Sequence, residues 1–127
     1  SLMGRDFQPY RPRPVEVRWE EGSVRGPASP ILELPVSWYL DDFPVGEYIP
    51  GVNQGLGSAE VMFQRFQDPF DFAYERETNP VLAITVHPQT IGRAHHLLGM
   101  ERLLTHMAGP DGVWFASLSE IYDCWSD

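Results

Sequence analysis

His87 follows the continuously apolar, largely β-branched run at residues 81–86 and stands immediately before Pro88. A residue that precedes proline is pushed out of the helical region, so His87 is expected to sit extended at the C-terminal end of a buried strand. In parallel α/β architectures, ligands and catalysis gather at that edge of the sheet. The competing role for a lone strand-end histidine is a hydrogen bond to a loop carbonyl. Asp41 and Asp42 come shortly after a second strand candidate at residues 31–36. They offer a carboxylate able to orient an imidazole and stabilise its charge, while spacing alone favours a solvated loop or a helix N-cap.

The other candidate residues carry less. His95 and His96 open a helix and His106 closes it. Adjacent side chains on a helix diverge by about 100°, so the pair cannot face one ion, and all three histidines are expected at surface or capping positions. Arg93 stands at the same helix start, where the dipole disfavours a cation, so a carboxylate partner is expected for it. Trp38, Tyr39, Phe43, Tyr48 and Phe63 lie near the expected mouth, where aromatic rings either stack on a sugar or pack against the protein. Cys124 reads as a core residue.

The elements that must position these residues fall into two textures. Proline crowds the first 50 residues, which forbids long helices there and favours strands and turns. Val15, Val17 and Trp19 alternate with charged residues, as in a half-buried strand. Beyond residue 57, Val61, Met62 and Phe66 take helical spacing, and Asp68-Pro69 marks the start of a further short helix to about Arg76. The 81–86 run is expected to be buried on both faces, as in a parallel sheet. Leu97, Met100, Leu104 and Met107 mark the apolar face of the next helix, which Gly109-Pro110 ends. Residues 113–116 form a second short buried strand, and Ser117 with Glu120 makes a capping box for a last helix that buries Leu118, Ile121 and Trp125. Strand and helix alternating over short connections specify a parallel sheet with right-handed crossovers.

Composition bounds the rest. The 127 residues fit one domain, with a net charge of -9 that argues against non-specific nucleic-acid binding. The chain has no lysine, which removes Schiff-base chemistry and the Walker-type phosphate loop. One cysteine excludes an internal disulfide and fits a reducing, cytoplasmic compartment. No apolar run approaches a membrane span, and the start at Ser1 with Met3 following looks like a cut edge.

Three separated stretches carry a resemblance. Leu32-Glu33-Leu34-Pro35-Val36-Ser37-Trp38-Tyr39-Leu40-Asp41-Asp42-Phe43-Pro44, Thr85-Val86-His87-Pro88-Gln89-Thr90-Ile91-Gly92-Arg93 and Gly112-Val113-Trp114-Phe115-Ala116 resemble the C-terminal half of a polysaccharide deacetylase of the NodB type. The likeness is closest to the peptidoglycan deacetylase-like branch, which borders on allantoinase-like cyclic amide hydrolases, and the opening from Ser1 to Phe7 is similar to a mid-domain segment of it. It implies an α/β fold, the later part of a distorted (β/α) barrel of parallel strands with helices.

The resemblance also implies a divided site. A divalent metal such as zinc polarises the amide and its water, and the metal ligands and base lie in an N-terminal half without a counterpart here. His87 would be the general acid, Asp41 or Asp42 the carboxylate that tunes it or braces an arginine, and Trp38 and Arg93 the substrate contacts. The metal would then not be held by this chain. Two readings follow. In one, the residues belong to a metal-dependent hydrolase acting on the amide of an N-acetylated glycan or a small cyclic amide. In the other, they form a non-catalytic fragment completed by another chain or by a second copy in a homo-oligomer. Residues 94–96 and 45–48 depart from the branch's usual pattern.

Overall fold

Two helices, α2 (Ala59–Arg76) and α4 (Ala94–Met107), pack together and carry most of the buried apolar surface. The computed structural model describes residues 7–125, so the expectation for the opening stretch Ser1 to Asp6 lies outside the described residues. Before these helices come a hairpin of β1 (Val15–Arg18) and β2 (Gly22–Arg25), a 3-10 turn at Trp38–Leu40, α1 (Phe43–Gly46), and a second hairpin of β3 (Tyr48–Ile49) and β4 (Asn53–Gln54). After α2 come α3 (Pro88–Ile91), α4 and α5 (Leu118–Cys124). Both two-stranded sheets are antiparallel; the parallel element among the described residues is a single bridge between Asp41 and Thr85.

Burial explains why α2 is one helix rather than two. Met62, Phe63, Phe66, Phe70 and Ala73 stay on one buried face across Pro69, which lies inside the helix. An internal proline costs about 3 kcal/mol. Each fully buried apolar side chain contributes roughly 1.5–3 kcal/mol, so the continuous face outweighs the lost hydrogen bond. Leu40, Leu103 and Met107 complete the core, with Leu82, Ile84, Met100 and Val113 packed against it.

The face of α4 is rotated from the expected one. His96, Leu103 and Met107 are buried, Met100 partly so, while Leu97 and Leu104 are exposed. Gly99 is the reason: a Cβ there would strike the ring of Phe63, so the absence of a side chain lets α2 approach and turns the 96–99–103 line inward. His96 is therefore a buried residue, not a surface one.

Several expected strands are extended segments without ladders. Residues 31–36 make one bridge, Glu33 with Tyr10. The 81–86 run pairs through Thr85 with Leu40 and Asp42, and through Val81 with Phe7; it is half-buried, because a strand covered on both faces needs neighbours at both edges. Residues 113–116 are irregular, and Trp114 and Phe115 are exposed. The β1–β2 hairpin forms in register, yet Val15, Val17 and Trp19 lie open, Trp19 fully. In α5 the capping box forms as expected, with Ser117 and Glu120 bonding each other's backbone groups. No residue of that helix is buried, and Cys124 is exposed rather than in the core.

The approach at Gly99 sets a stability test. Gly99→Ala is expected to cost about 1–3 kcal/mol through overpacking against Phe63, read as a lower urea midpoint with an unchanged slope.

Candidate active site

The parallel bridge of Asp41 with Thr85 builds the site. Thr85 N–H donates to Leu40 O at 2.8 Å, and Asp42 N–H donates to Thr85 O at 3.2 Å. This register sets the Asp42 side chain beside the backbone two residues beyond Thr85, which is His87. The backbone N–H of His87 lies 3.1 and 3.0 Å from the two carboxylate oxygens of Asp42, and its Nδ1 lies 2.8 Å from Oδ1. Asp42 is fully buried, whereas about a third of the His87 side chain remains exposed. His87 is extended, as its position before Pro88 requires, and forms the N-cap of α3.

These contacts fix the imidazole. Nδ1–H donates to the Asp42 carboxylate, the ring of Phe43 stands edge-on with centroids 5.4 Å apart, and among the described residues nothing bonds Nε2. The hydrogen bond to Asp42 is the main force holding the His87 pKa above its ordinary value; partial desolvation opposes it, and the charges of Asp41 and Asp42 add to it. The two aspartates thereby separate in role. Asp42 makes the close contact, while Asp41 Oδ1 lies 3.7 Å from Nδ1 and accepts the Phe43 N–H at 2.8 Å, closing the turn into α1.

Donor atoms of Asp41, Asp42 and His87 fall within 4.8 Å of one another, a separation that a divalent ion could span. The three side chains are therefore a candidate site for such an ion, with Nε2 of His87 without a partner among the described residues, and they also form a hydrogen-bonded dyad of His87 and Asp42 beside a second carboxylate, Asp41, that accepts the Phe43 N–H.

Arg93 has the expected carboxylate partner, Glu47, with Nη2 at 2.8 and 3.0 Å from its two oxygens. Glu47 also accepts the Thr90 hydroxyl at 2.9 Å, and buried His96 places Nδ1 2.6 Å from Thr90 O. Sequence reasoning did not single out Glu47 or Thr90; the carboxylate partner expected for Arg93 was the available signal. Trp38 stays on the surface in the 3-10 turn that Ser37 caps, and Phe63 lies in the core rather than at a mouth. His106 is half-exposed, with Nε2 2.6 Å from Asp71.

The architecture of this chain is found again in solved proteins. One from Mycobacterium smegmatis, described as a polysaccharide deacetylase, superposes with a TM-score of 0.69 over 94% of this chain and 37% of its own, at 22% identity. Another from Pseudomonas aeruginosa, similarly described, gives 0.66 over 94% and 35%, at 26% identity. In sequence, the chain is 31% identical over 136 aligned positions to a peptidoglycan deacetylase of Helicobacter pylori, covering 97% of this chain and 46% of that protein. No family model matches the sequence. The chain thus carries part of a polysaccharide deacetylase-type domain, with the fold of the NodB-type distorted barrel. It spans less than half the length of these relatives.

The dyad predicts a pH dependence. Because the folded-state pKa of His87 is raised, its contribution to stability is fully present below the unfolded value of about 6.5 and is lost as pH rises through the folded value. NMR titration of the His87 ring is expected to give a midpoint above about 6.5, lowered more by Asp42→Asn than by Asp41→Asn.

Proposed function

We propose that this chain supplies the proton-donating half of a deacetylase that hydrolyses the amide of an N-acetylated glycan, with His87 as general acid. The observation that carries the reading is the 2.8 Å contact of His87 Nδ1 with fully buried Asp42, which leaves Nε2 unbonded. The names of the similar proteins support the substrate class. As the tetrahedral intermediate collapses, Nε2–H gives its proton to the amide nitrogen, the C–N bond breaks, and the acyl group leaves as acetate. The Asp42 carboxylate stabilises the imidazolium beforehand and keeps the ring turned outward. Trp38 and Arg93 are assigned to glycan contact, Trp38 through its exposed ring and Arg93 through its partly exposed side chain. The divalent metal that the likeness implies, zinc by expectation, is assigned to residues outside these 127, and the chain alone is taken to be inactive.

A second observation bears on partners. Val15, Val17 and Trp19 on the hairpin, and Trp114, Phe115 and Leu118 near the other end, are exposed large apolar residues. Surface of this kind is normally covered, here by the rest of a barrel or by a second copy. No helix among the described residues is long and apolar enough to cross a membrane.

In a complete domain, His87→Ala is expected to lower kcat by roughly 10²-fold to 10⁴-fold with little change in KM, since proton donation acts only in the transition state. Acetate release from an N-acetylglucosamine oligomer measures it, and near-normal turnover would retire the acid assignment. The 127-residue chain alone is expected to associate at micromolar concentration; sedimentation as a stable monomer that binds no hydrophobic dye would refute this.

A further inference from the structure

We propose that Glu47 is a positioning residue: with Thr90 and Arg93 it clamps the C-terminal end of α3, so that the two carboxylates flanking α1 hold both ends of the short helix that begins at His87. The proposal rests on the reading of His87 as general acid and extends it to a residue beyond the dyad.

A four-residue helix does not hold its own shape, because isolated helices of that length are unstable in water. Something outside must fix α3. At its start, Asp42 accepts the His87 N–H. At its end, Glu47 Oε1 accepts the Thr90 hydroxyl at 2.9 Å and Arg93 Nη2 at 2.8 Å, while Oε2 takes the same Nη2 at 3.0 Å. Arg93 Nε, in turn, donates to Gln89 O at 3.2 Å, tying the guanidinium back to α3 itself. Thr90 is fully buried and the Glu47 side chain is only 14% exposed, so these bonds are sheltered from water. An exposed ion pair would carry little weight; here the geometry matters more than the pair's energy.

Asp42 and Glu47 are themselves joined. They are the N-cap and C-cap of α1, closed by Gly46 N–H to Asp42 O at 2.8 Å and Glu47 N–H to Phe43 O at 3.1 Å. Asn53 Nδ2 braces the unit, donating to Phe43 O at 3.2 Å and Glu47 O at 2.8 Å. Gly46 lets this unit lie against α3, since a Cβ there would strike the Thr90 methyl. The two carboxylates therefore move as one body, and loss of the Glu47 contacts frees α3 to pivot about Asp42 and swing the His87 ring. A general acid displaced by about 1 Å can lose roughly 10²-fold in rate.

The test is amide hydrogen exchange with NMR of the His87 ring on the 127-residue chain, beside kinetics in a complete domain. Glu47→Ala is expected to raise exchange at Thr90, Ile91 and Gly92 by roughly 10-fold or more, to shift the His87 ring signals, and to leave the α2 and α4 amides unchanged. Glu47→Gln, whose carbonyl oxygen still accepts from Thr90 and Arg93, is expected to restore the ring signals. In a complete domain Glu47→Ala lowers kcat, and any rise in KM reports the release of Arg93. Unchanged ring signals, or exchange raised equally across α2 and α4, overturn the proposal. Should Glu47→Ala not fold, Glu47→Asp keeps the charge but withdraws it by one methylene, and the same local rise in exchange is required of it. Shifted ring signals together with normal turnover in His87→Ala would uphold the clamp and remove the acid. Unshifted signals with His87→Ala inactive would do the reverse.

Discussion

A carboxylate fully withdrawn from water is tolerable only when its charge is answered by hydrogen bonds or a counter-charge, and Asp42 meets that demand almost entirely through His87. Much of the surrounding structure follows. The backbone N–H of His87 can reach the carboxylate only if residues 85–87 run extended beside residues 40–42, which the Asp41–Thr85 bridge ensures. Pro88 makes that extension inexpensive and then starts α3. The same bonds leave the imidazole one nitrogen without a partner among the described residues, so a requirement of folding also decides which ring nitrogen is left free.

The legible parts of the sequence were those decided locally. Pre-proline geometry placed His87, the Ser117–Glu120 spacing gave a capping box that forms, and the dipole argument at Arg93 called for a carboxylate that exists. Which aspartate serves His87 could not be read, because adjacent residues differ only in register, and register is set by a bridge 44 positions downstream of Asp41. Of the apolar face read for α4, Met107 is buried and Met100 partly so, while the gap at Gly99 draws His96 and Leu103 inward in place of Leu97 and Leu104. Pro69 was taken as a boundary on local grounds, and a tertiary apolar face carried the helix through it.

The unladdered runs have a common cause. Residues 81–86 and 113–116 have the composition of strands buried on two faces, but such strands are stabilised by neighbours, and the described residues offer few. The chain spans less than half of its relatives, so a pattern suited to a whole sheet appears here with its edges open. The capping box of α5, made by Ser117 and Glu120 alone, forms regardless.

His87 lies 45 positions beyond Asp42, and the segment between them encloses the whole of α2. Joining the ends of so long a loop costs chain entropy that the dyad alone does not recover. As a helix of 18 residues, α2 shortens much of the segment to a rod of about 27 Å. Its packing against α4 turns the downstream chain back toward α1. The packed helical pair thus holds the two halves of the dyad side by side in the folded chain, although they lie 45 positions apart in sequence.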